Sequence, residues 1–261
     1  MNKKFWGILS VIILIIIISI ILVIQYIMAI TQEIKNPILS LEIEEYGTVK
    51  IELYPEYAPN TVKNIIALAQ KGYYDGKVFY GTDEISVYIG RNEDGQIDYP
   101  RLSTLDENIS DENDFEYEIK GEFIANGFNE NTLKHEKGVV SMIRADYTQV
   151  MGNLQEESYN SASSQFTILT ENARSLNGMY AAFGKVVEGM EIVESIYDIE
   201  KKVSEEEEGS AIEKFITMPK ITKATIETYG VNYGMPQVHE AFDYEGYMNE
   251  MLTQYYSENN Q

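Results

Sequence analysis

Cysteine is absent from all 261 residues. Disulfides, thiolate catalysis, cysteine-ligated zinc and a lipidated cysteine anchor are thereby excluded. Histidine is nearly absent. His135 and His239 are the only two and lie far apart, so neither a histidine-based triad nor a histidine-rich metal site is expected. Positive charge is scarce as well: 20 Lys and Arg stand against 42 Asp and Glu, for a net charge of −22. Lys3 and Lys4 are the only charges before residue 33, so setting these two aside leaves about −24 on the remainder. Such a field repels polyanions and argues against a nucleic-acid partner. It suits a solvated extracellular domain, or one that handles basic partners.

What is abundant is apolar sequence, 44% of the chain, enough for one core and a small appendage. Phe5 to Ile24 carries no charge, and the apolar character continues to Ile30. At about 1.5 Å per residue this run is long enough to cross a hydrocarbon core of about 30 Å. Lys3 and Lys4 precede it and are expected to stay cytoplasmic. Residues 1–32 therefore read as a single-pass membrane anchor with the rest of the chain outside. The alternative is a cleaved secretory signal with an unusually long apolar region, for which Ala29 offers only a poor cleavage site.

After the anchor the apolar period becomes two. Leu39, Leu41 and Ile43, then a Tyr46-Gly47 turn, then Val49, Ile51 and Leu53 predict a β-hairpin with one buried face. In APNTVKNIIALAQKG, Pro59 and Asn60 open a helix, Val62, Ile65, Ile66 and Ala69 form its stripe, and Gly72 ends it. A turn at Tyr74–Lys77 leads to a strand at Val78–Tyr80. From Arg91 to about Glu116 the chain is acidic and reads as a long loop. Asp106, Asp111, Glu112 and Asp114 lack the spacing of a Gly-centred calcium loop, so a solvated loop is the reading preferred, as it is for Glu205–Glu208. Gly138–Ile143 predicts a buried strand, and Tyr147–Glu157 an inserted loop. NSASSQFTILTENARSLNGMYAAFGKVVEGMEIVESI, from Asn160 to Ile196, predicts strand (Phe166, Ile168), turn (Asn177-Gly178), strand (Tyr180–Phe183), then a helix after Gly189 with Met190, Val193 and Ile196 on one side. Ile221, Ala224 and Ile226 mark a closing strand. With no repeat or linker inside it, 33–230 reads as one domain, mainly β and favouring a closed barrel with helical caps. In the tail, 231–261, Tyr244, Tyr247, Met248, Met251, Leu252 and Tyr255 fall near helical spacing. That helix either packs on the domain, the reading preferred, or binds a partner.

Several stretches are also familiar in wording. ELYPEYAPNTVKN, GYYDGKVF, GEFIANGF with LKHEKGVVSM, NSASSQFTI and LNGMYAAFGKVVEGMEIV follow one another between about Ser40 and Gly230. In this order they resemble the cyclophilins, a family of peptidyl-prolyl isomerases, the third pair resembling its bacterial branch. The resemblance implies an eight-stranded antiparallel barrel closed at each end by a helix. It implies rotation about the X–Pro bond, against a barrier of about 18–20 kcal/mol set by amide resonance, with no covalent step, metal or cofactor. In the family an Arg hydrogen-bonds the substrate so that the prolyl nitrogen loses conjugation, while an apolar pocket holds the proline ring.

The chain departs from the family where that chemistry sits. Its active-site span reads FYGTDEISVYIGR. Phe79 and Gly90 match, but the Arg position is Gly81 and the preceding His is Tyr80. The pocket Phe and Met become Ser86 and Val87, and a nearby Gln becomes Ile89. Gln165 and Phe166 are kept, followed by Thr167 in place of an aromatic. Leu176 is kept; Ser175 replaces the aromatic before it, and Tyr180 replaces a His. Met142 matches a groove-lining position, and Arg144 falls where many bacterial members carry Arg. The resemblance thus nominates Gln165 as catalytic and Met142, Arg144, Phe166, Thr167, Leu176, Tyr180 and Val87 as substrate-binding, with core packing the competing reading for Met142 and Phe166. Arg91, Arg101 and Arg144 are the candidates to replace the missing guanidinium. Two functions follow: a membrane-anchored extracellular isomerase assisting exported proteins with a degenerate site, or a cyclophilin-like module that holds proline-containing segments without turnover.

Overall fold

The two periodicities read from the chain become an antiparallel sheet and a set of short helices in the computed structural model, which describes residues 3–31, 35–149, 151–199, 201–202 and 213–259. Helix α1 spans Lys3–Thr31, followed by strands β1 (Ile38–Ile43) and β2 (Gly47–Leu53) and helix α2 (Pro59–Gln70). Next come β3 (Val78–Thr82), β4 (Ser86–Arg91), α3 (Leu102–Leu105), β5 (Tyr117–Glu118), β6 (Val139–Met142), α4 (Gln155–Tyr159) and β7 (Phe166–Leu169). The chain ends with β8 (Ala182–Glu188), α5 (Met190–Tyr197), β9 (Lys201–Lys202), β10 (Glu213–Phe215), β11 (Ile221–Glu227), β12 (His239–Glu240) and α6 (Tyr244–Asn259). Residues 1–35 and 36–261 form separate compact units. The Glu205–Glu208 run lies outside the described residues.

In the first unit, side chains of α1 are described for Trp6 and for residues 12–25, and those of Ile12–Ile18 are exposed. Among the described residues no helix is long and apolar enough to cross a membrane. The expected anchor therefore rests on the sequence alone.

In the second unit ten strands join in one sheet of order β11-β1-β2-β8-β6-β7-β4-β3-β10-β9. The expected closed eight-stranded barrel is not formed as a continuous ladder. Between β3 and the start of β11 the contact is one isolated bridge, Val78–Lys220, with backbone bonds Phe79 N to Pro219 O (2.9 Å), Gly76 N to Ile221 O (2.8 Å) and Ile221 N to Lys77 O (2.8 Å). Two features limit it. Pro219 has no N–H to give a ladder, and β10 already pairs with β3 at Gly81 and Thr82. Inside the sheet lie Leu39, Leu41, Val49, Ile51, Leu53, Phe79, Val87, Ile89, Phe166 and Phe183, all fully buried. The period-two pattern put them there, since alternate residues of a strand share a face.

Helix α2 covers this core with Val62, Ile65, Ile66 and Leu68, and α5 with Val193 and Ile196. α2 starts at Pro59 without a side-chain cap of its own. Its first-turn donors go instead to the Glu122 carboxylate: Asn60 N at 2.8 Å, Thr61 N at 2.7 Å and Thr61 Oγ1 at 2.8 Å. Gly184 in β8 is required by close approach, because a Cβ there would stand 2.5 Å from Glu52 O.

The loop expected over 91–116 contains short helical turns; some of its carboxylates bond within it, while Asp98 pairs with Lys77 and Glu93 with Lys220 outside it. Asp114 accepts from Arg101 Nε (2.7 Å) and Ser103 N (2.8 Å), and Asp106 from Asn108 N (3.0 Å). The tail doubles back: β12 pairs with β5, and Asn60 and Gln237 exchange two hydrogen bonds. α6 departs from the packed terminal helix expected. Tyr244 stacks on Tyr147 at 5.0 Å, but Leu252, Tyr255 and Tyr256 are exposed, since its apolar residues do not gather into one stripe.

Removing the remote cap is expected to be costly. Glu122→Ala leaves two backbone donors of α2 unpaired and should lower stability by about 2–3 kcal/mol, read as a shift of the urea midpoint at unchanged slope. A shift within error would show that α2 caps itself.

Candidate active site

Strands β4 and β7 run antiparallel with Ser86 opposite Leu169, Val87 opposite Ile168 and Tyr88 opposite Thr167. Alternation sends Val87, Ile89, Phe166 and Ile168 into the core, and Ser86, Tyr88, Thr167 and Leu169 to the other face. On that second face is a cavity of about 330 Å³, whose walls include Met142, Arg144, Thr167, Leu176 and Tyr180. Five of the residues nominated from the sequence thus converge, Met142 while only 2% exposed and packed in the core cluster opposite Phe166. Two do not. Phe166 is fully buried, edge-on to Tyr74 (5.7 Å) and Phe183 (6.0 Å). Val87 is fully buried in the core cluster. Strand parity corrects both: their neighbours Thr167, Ser86 and Tyr88 are the cavity walls.

The cavity floor is polar. Asp83 Oδ1 accepts from Ile85 N (2.9 Å), Ser86 N (2.7 Å) and Ser86 Oγ (2.8 Å), and Asp83 Oδ2 accepts from Tyr88 Oη (2.9 Å). Burial, reinforced by Asp83, pushes the Tyr88 phenol well above its usual range, so it stays a donor. Asp83 and Tyr88 had not been singled out from the sequence. The signal for Asp83 was an Asp in the turn between two strands, where its side chain caps its own turn. Two polar atoms at this cavity are buried without a partner within the protein, Thr167 Oγ1 and Arg144 Nε. Buried polar groups of that kind cost free energy until a ligand pairs them.

Arg144 also borders a second, smaller cleft of about 150 Å³, lined by Tyr80, Arg91, Glu118 and Gln165 among others. Its guanidinium lies among three rings, 4.5 Å from Tyr180, 5.0 Å from Tyr159 and 5.7 Å from Phe123. Gln165 faces this cleft rather than the larger cavity. Its Oε1 is 3.5 Å from Arg91 Nε, a long contact. Gly81, at the position of the family Arg, is buried in β3 between Tyr88 and Lys214 and presents no side chain. Arg101 is bound to Asp114 in the acidic loop and lines neither space. Glu118 is 3% exposed, and loss of solvent pushes its carboxyl up to about 7, opposed by a hydrogen bond from Phe242 N. Among the described residues no group of His, Asp or Glu is placed to hold a metal ion.

Residues 38–224 match the family described as cyclophilin type peptidyl-prolyl cis-trans isomerase/CLD. The chain belongs to the cyclophilin-type isomerases. It is 34% identical over 188 residues to a probable peptidyl-prolyl cis-trans isomerase of Brucella suis, covering 69% of this chain and 78% of that protein. It is 30% identical over 163 residues to peptidyl-prolyl cis-trans isomerase B of Bacillus subtilis, covering 62% and 92%. A crystal structure of a Cryptosporidium parvum cyclophilin-type isomerase shares the fold, with TM-score 0.54 at 21% identity over 74% of this chain and 98% of that one. A second structure of that protein, in the presence of the dipeptide Ala-Pro, gives 0.51 at 23%. The enzyme class is therefore that of a cyclophilin-type peptidyl-prolyl cis-trans isomerase.

Behind the cavity wall, His135 is 2% exposed, with Nε2 3.0 Å from Ser141 Oγ and Nδ1 3.3 Å from Asn177 Oδ1. Burial lowers its pKa to about 4, partly offset by the Asn177 hydrogen bond. Between about 4 and the ordinary 6.5 the unfolded chain holds more of this proton than the folded one. The contribution of His135 is thus full above 6.5 and is lost as pH falls to 4, on the order of 3 kcal/mol. Glu118 gives the opposite slope, with stability lost as pH rises from about 4.5 to about 7. In a Glu118→Gln background, melting temperature should climb with pH from 4 to 6.5, and His135→Asn should remove most of that climb. An unchanged climb would place the acid-sensitive group elsewhere.

Proposed function

We propose that this isomerase is tethered by residues 1–32, faces the outside of the cell and acts on proline-bearing segments of exported, unfolded polypeptides. The cavity walled by Met142, Leu176 and Tyr180 takes the proline ring, and its rim at Thr167 and at Arg144, which also borders the cleft lined by Arg91 and Gln165, meets the flanking peptide groups. What supports this is one observation: an apolar-walled space of about 330 Å³ bordered by two buried polar atoms that have no partner. Spaces of that size and lining are typical of small-ligand sites. The tether is supported by the uncharged run from Phe5 to Ile30 behind two lysines.

Rotation about X–Pro needs only positioning and electrostatics. As the C–N bond twists, the nitrogen lone pair leaves conjugation and becomes an acceptor, and a donor aimed at it stabilises the twisted state. A peptide-holding module without turnover is the second reading. It is favoured by Gly81, which leaves the family's Arg position empty of any donor.

Two measurements test the reading. Leu176→Ala and Met142→Ala should each weaken binding of an Ala-Pro tetrapeptide by roughly tenfold or more, about 1.5–3 kcal/mol of lost apolar contact, while the unmodified chain accelerates its cis–trans exchange. Exchange at the uncatalysed rate with binding retained would leave the module. Protease added to intact cells should remove the domain beyond residue 35, and full protection of that domain would overturn the outward orientation.

A further inference from the structure

The sequence leaves open which group, if any, supplies the donor at the reacting bond. Among the described residues two guanidiniums line the cleft beside Gln165, those of Arg91 and Arg144. Arg144 lies among its three rings and donates from Nη1 to Ala145 O at 3.3 Å, while its unpartnered Nε is buried beside the larger cavity. Arg91 is held differently. Its guanidinium carbon sits 4.2 Å from the centre of the Tyr80 ring, Nε points at Gln165 Oε1, and Nη1 donates to Gly95 O at 3.4 Å. Its position follows from an irregular pairing. Val78 pairs with Arg91, Phe79 with Ile89 and Gly81 with Tyr88, so Gly90 and Tyr80 drop out of register. Such bulges re-aim side chains. Gly90 adopts φ +116, and a Cβ there would lie 3.2 Å from both Cα and Cγ of Gln165. The missing side chain lets β7 approach β4 closely enough for Arg91 to reach Gln165. The unpaired Tyr80, 1% exposed, provides the ring on which the cation rests.

We propose that Arg91 is the donor to the prolyl amide in this protein, displaced from Gly81 onto the neighbouring strand and aligned by Tyr80 and Gln165. This rests on the isomerase reading above. No proton is transferred and no bond is made or broken. A guanidinium N–H donates to the nitrogen lone pair as the C–N bond rotates, and the contact relaxes when planarity returns. A guanidinium suits this place because its planar face stacks on an aromatic ring while its edge keeps several donors free.

The test follows cis–trans exchange of an Ala-Pro tetrapeptide by the full-length chain in a mild non-ionic detergent, with peptide affinity measured in parallel. Arg91→Ala should lower kcat/KM by roughly 10²–10³, with peptide affinity changed by less than about threefold, and added guanidinium ion should restore part of the rate. Arg91→Lys should retain an intermediate rate. Arg91→Gln, which keeps the stem on Tyr80, should match the alanine variant in rate and serves if that variant does not fold. Arg101→Ala, outside the cleft, should match the unmodified chain. The proposal is overturned if Arg91→Gln keeps the full rate, or if its rate and peptide affinity fall together with no rescue by guanidinium. If the unmodified chain itself shows no catalysis while binding peptide, the isomerase reading fails first and the role of Arg91 falls with it.

Discussion

A single buried carboxylate, Glu122, holds the arrangement together. Helix α2 begins at a proline with no local cap, so its first-turn N–H groups and its dipole need an acceptor from elsewhere. Glu122 supplies it across some sixty residues of sequence, and the pairing fixes the loop on which Glu122 sits. Asn131 extends the tie by donating from one amide to Glu122 O (2.8 Å) and to Ala182 O of β8 (2.9 Å). The next residue, Phe123, is thereby set with its ring edge-on to Tyr159 at 5.1 Å, and these two rings with Tyr180 surround Arg144. The position of a cation at the rim of the cavity is thus a consequence of how a helix on the core is capped.

The site itself is built by strand parity. Once Val87 and Phe166 point inward, Ser86, Tyr88 and Thr167 must face the cavity. Ser86 and Thr167 are small where the family resemblance places aromatics, and the space they vacate is floored by Tyr88 and Asp83, which bond each other. The apolar walls that remain come from the rim: Met142 at the end of β6, and Leu176 and Tyr180 from the segment leading into β8. The face has been rebuilt with a polar floor under apolar walls, while the scaffold beneath it is retained.

How much of this was legible depended on whether the deciding contacts were local. The β1–β2 hairpin, α2, β7 and α5 could be read directly, because each carries its buried face in its own spacing: Leu39, Leu41 and Ile43, or Val62, Ile65 and Ile66. Convergence of Met142, Arg144, Thr167, Leu176 and Tyr180 followed from the family's order of motifs. The assignments of Val87 and Phe166 failed because alignment gives a position, not the face on which it lands. The tail was harder. Its strand β12 is two residues long, and what holds it is the exchange between Asn60 and Gln237, which no local pattern announces. The contact of Arg91 with Gln165 lay furthest from view, since it needs two residues to slip out of register and a glycine at φ +116.

That contact also bears on how so acidic a chain keeps cations at its site. With twice as many acidic as basic residues, a cation beside the groove would ordinarily be drawn into a surface ion pair, as Lys50 is with Glu188, Lys137 with Glu194 and Lys223 with Asp75. Arg91 and Arg144 are instead held by aromatic faces, backbone carbonyls and an amide, partners that orient a guanidinium without neutralising it. The one carboxyl that shares their cleft, Glu118, is held toward its protonated form by burial, with its pKa near 7, and so it competes less for them than an exposed carboxylate would. Protection from the chain's own negative charge is therefore a condition for any donor here. It is met here by ring faces and by the desolvation of the neighbouring carboxyl.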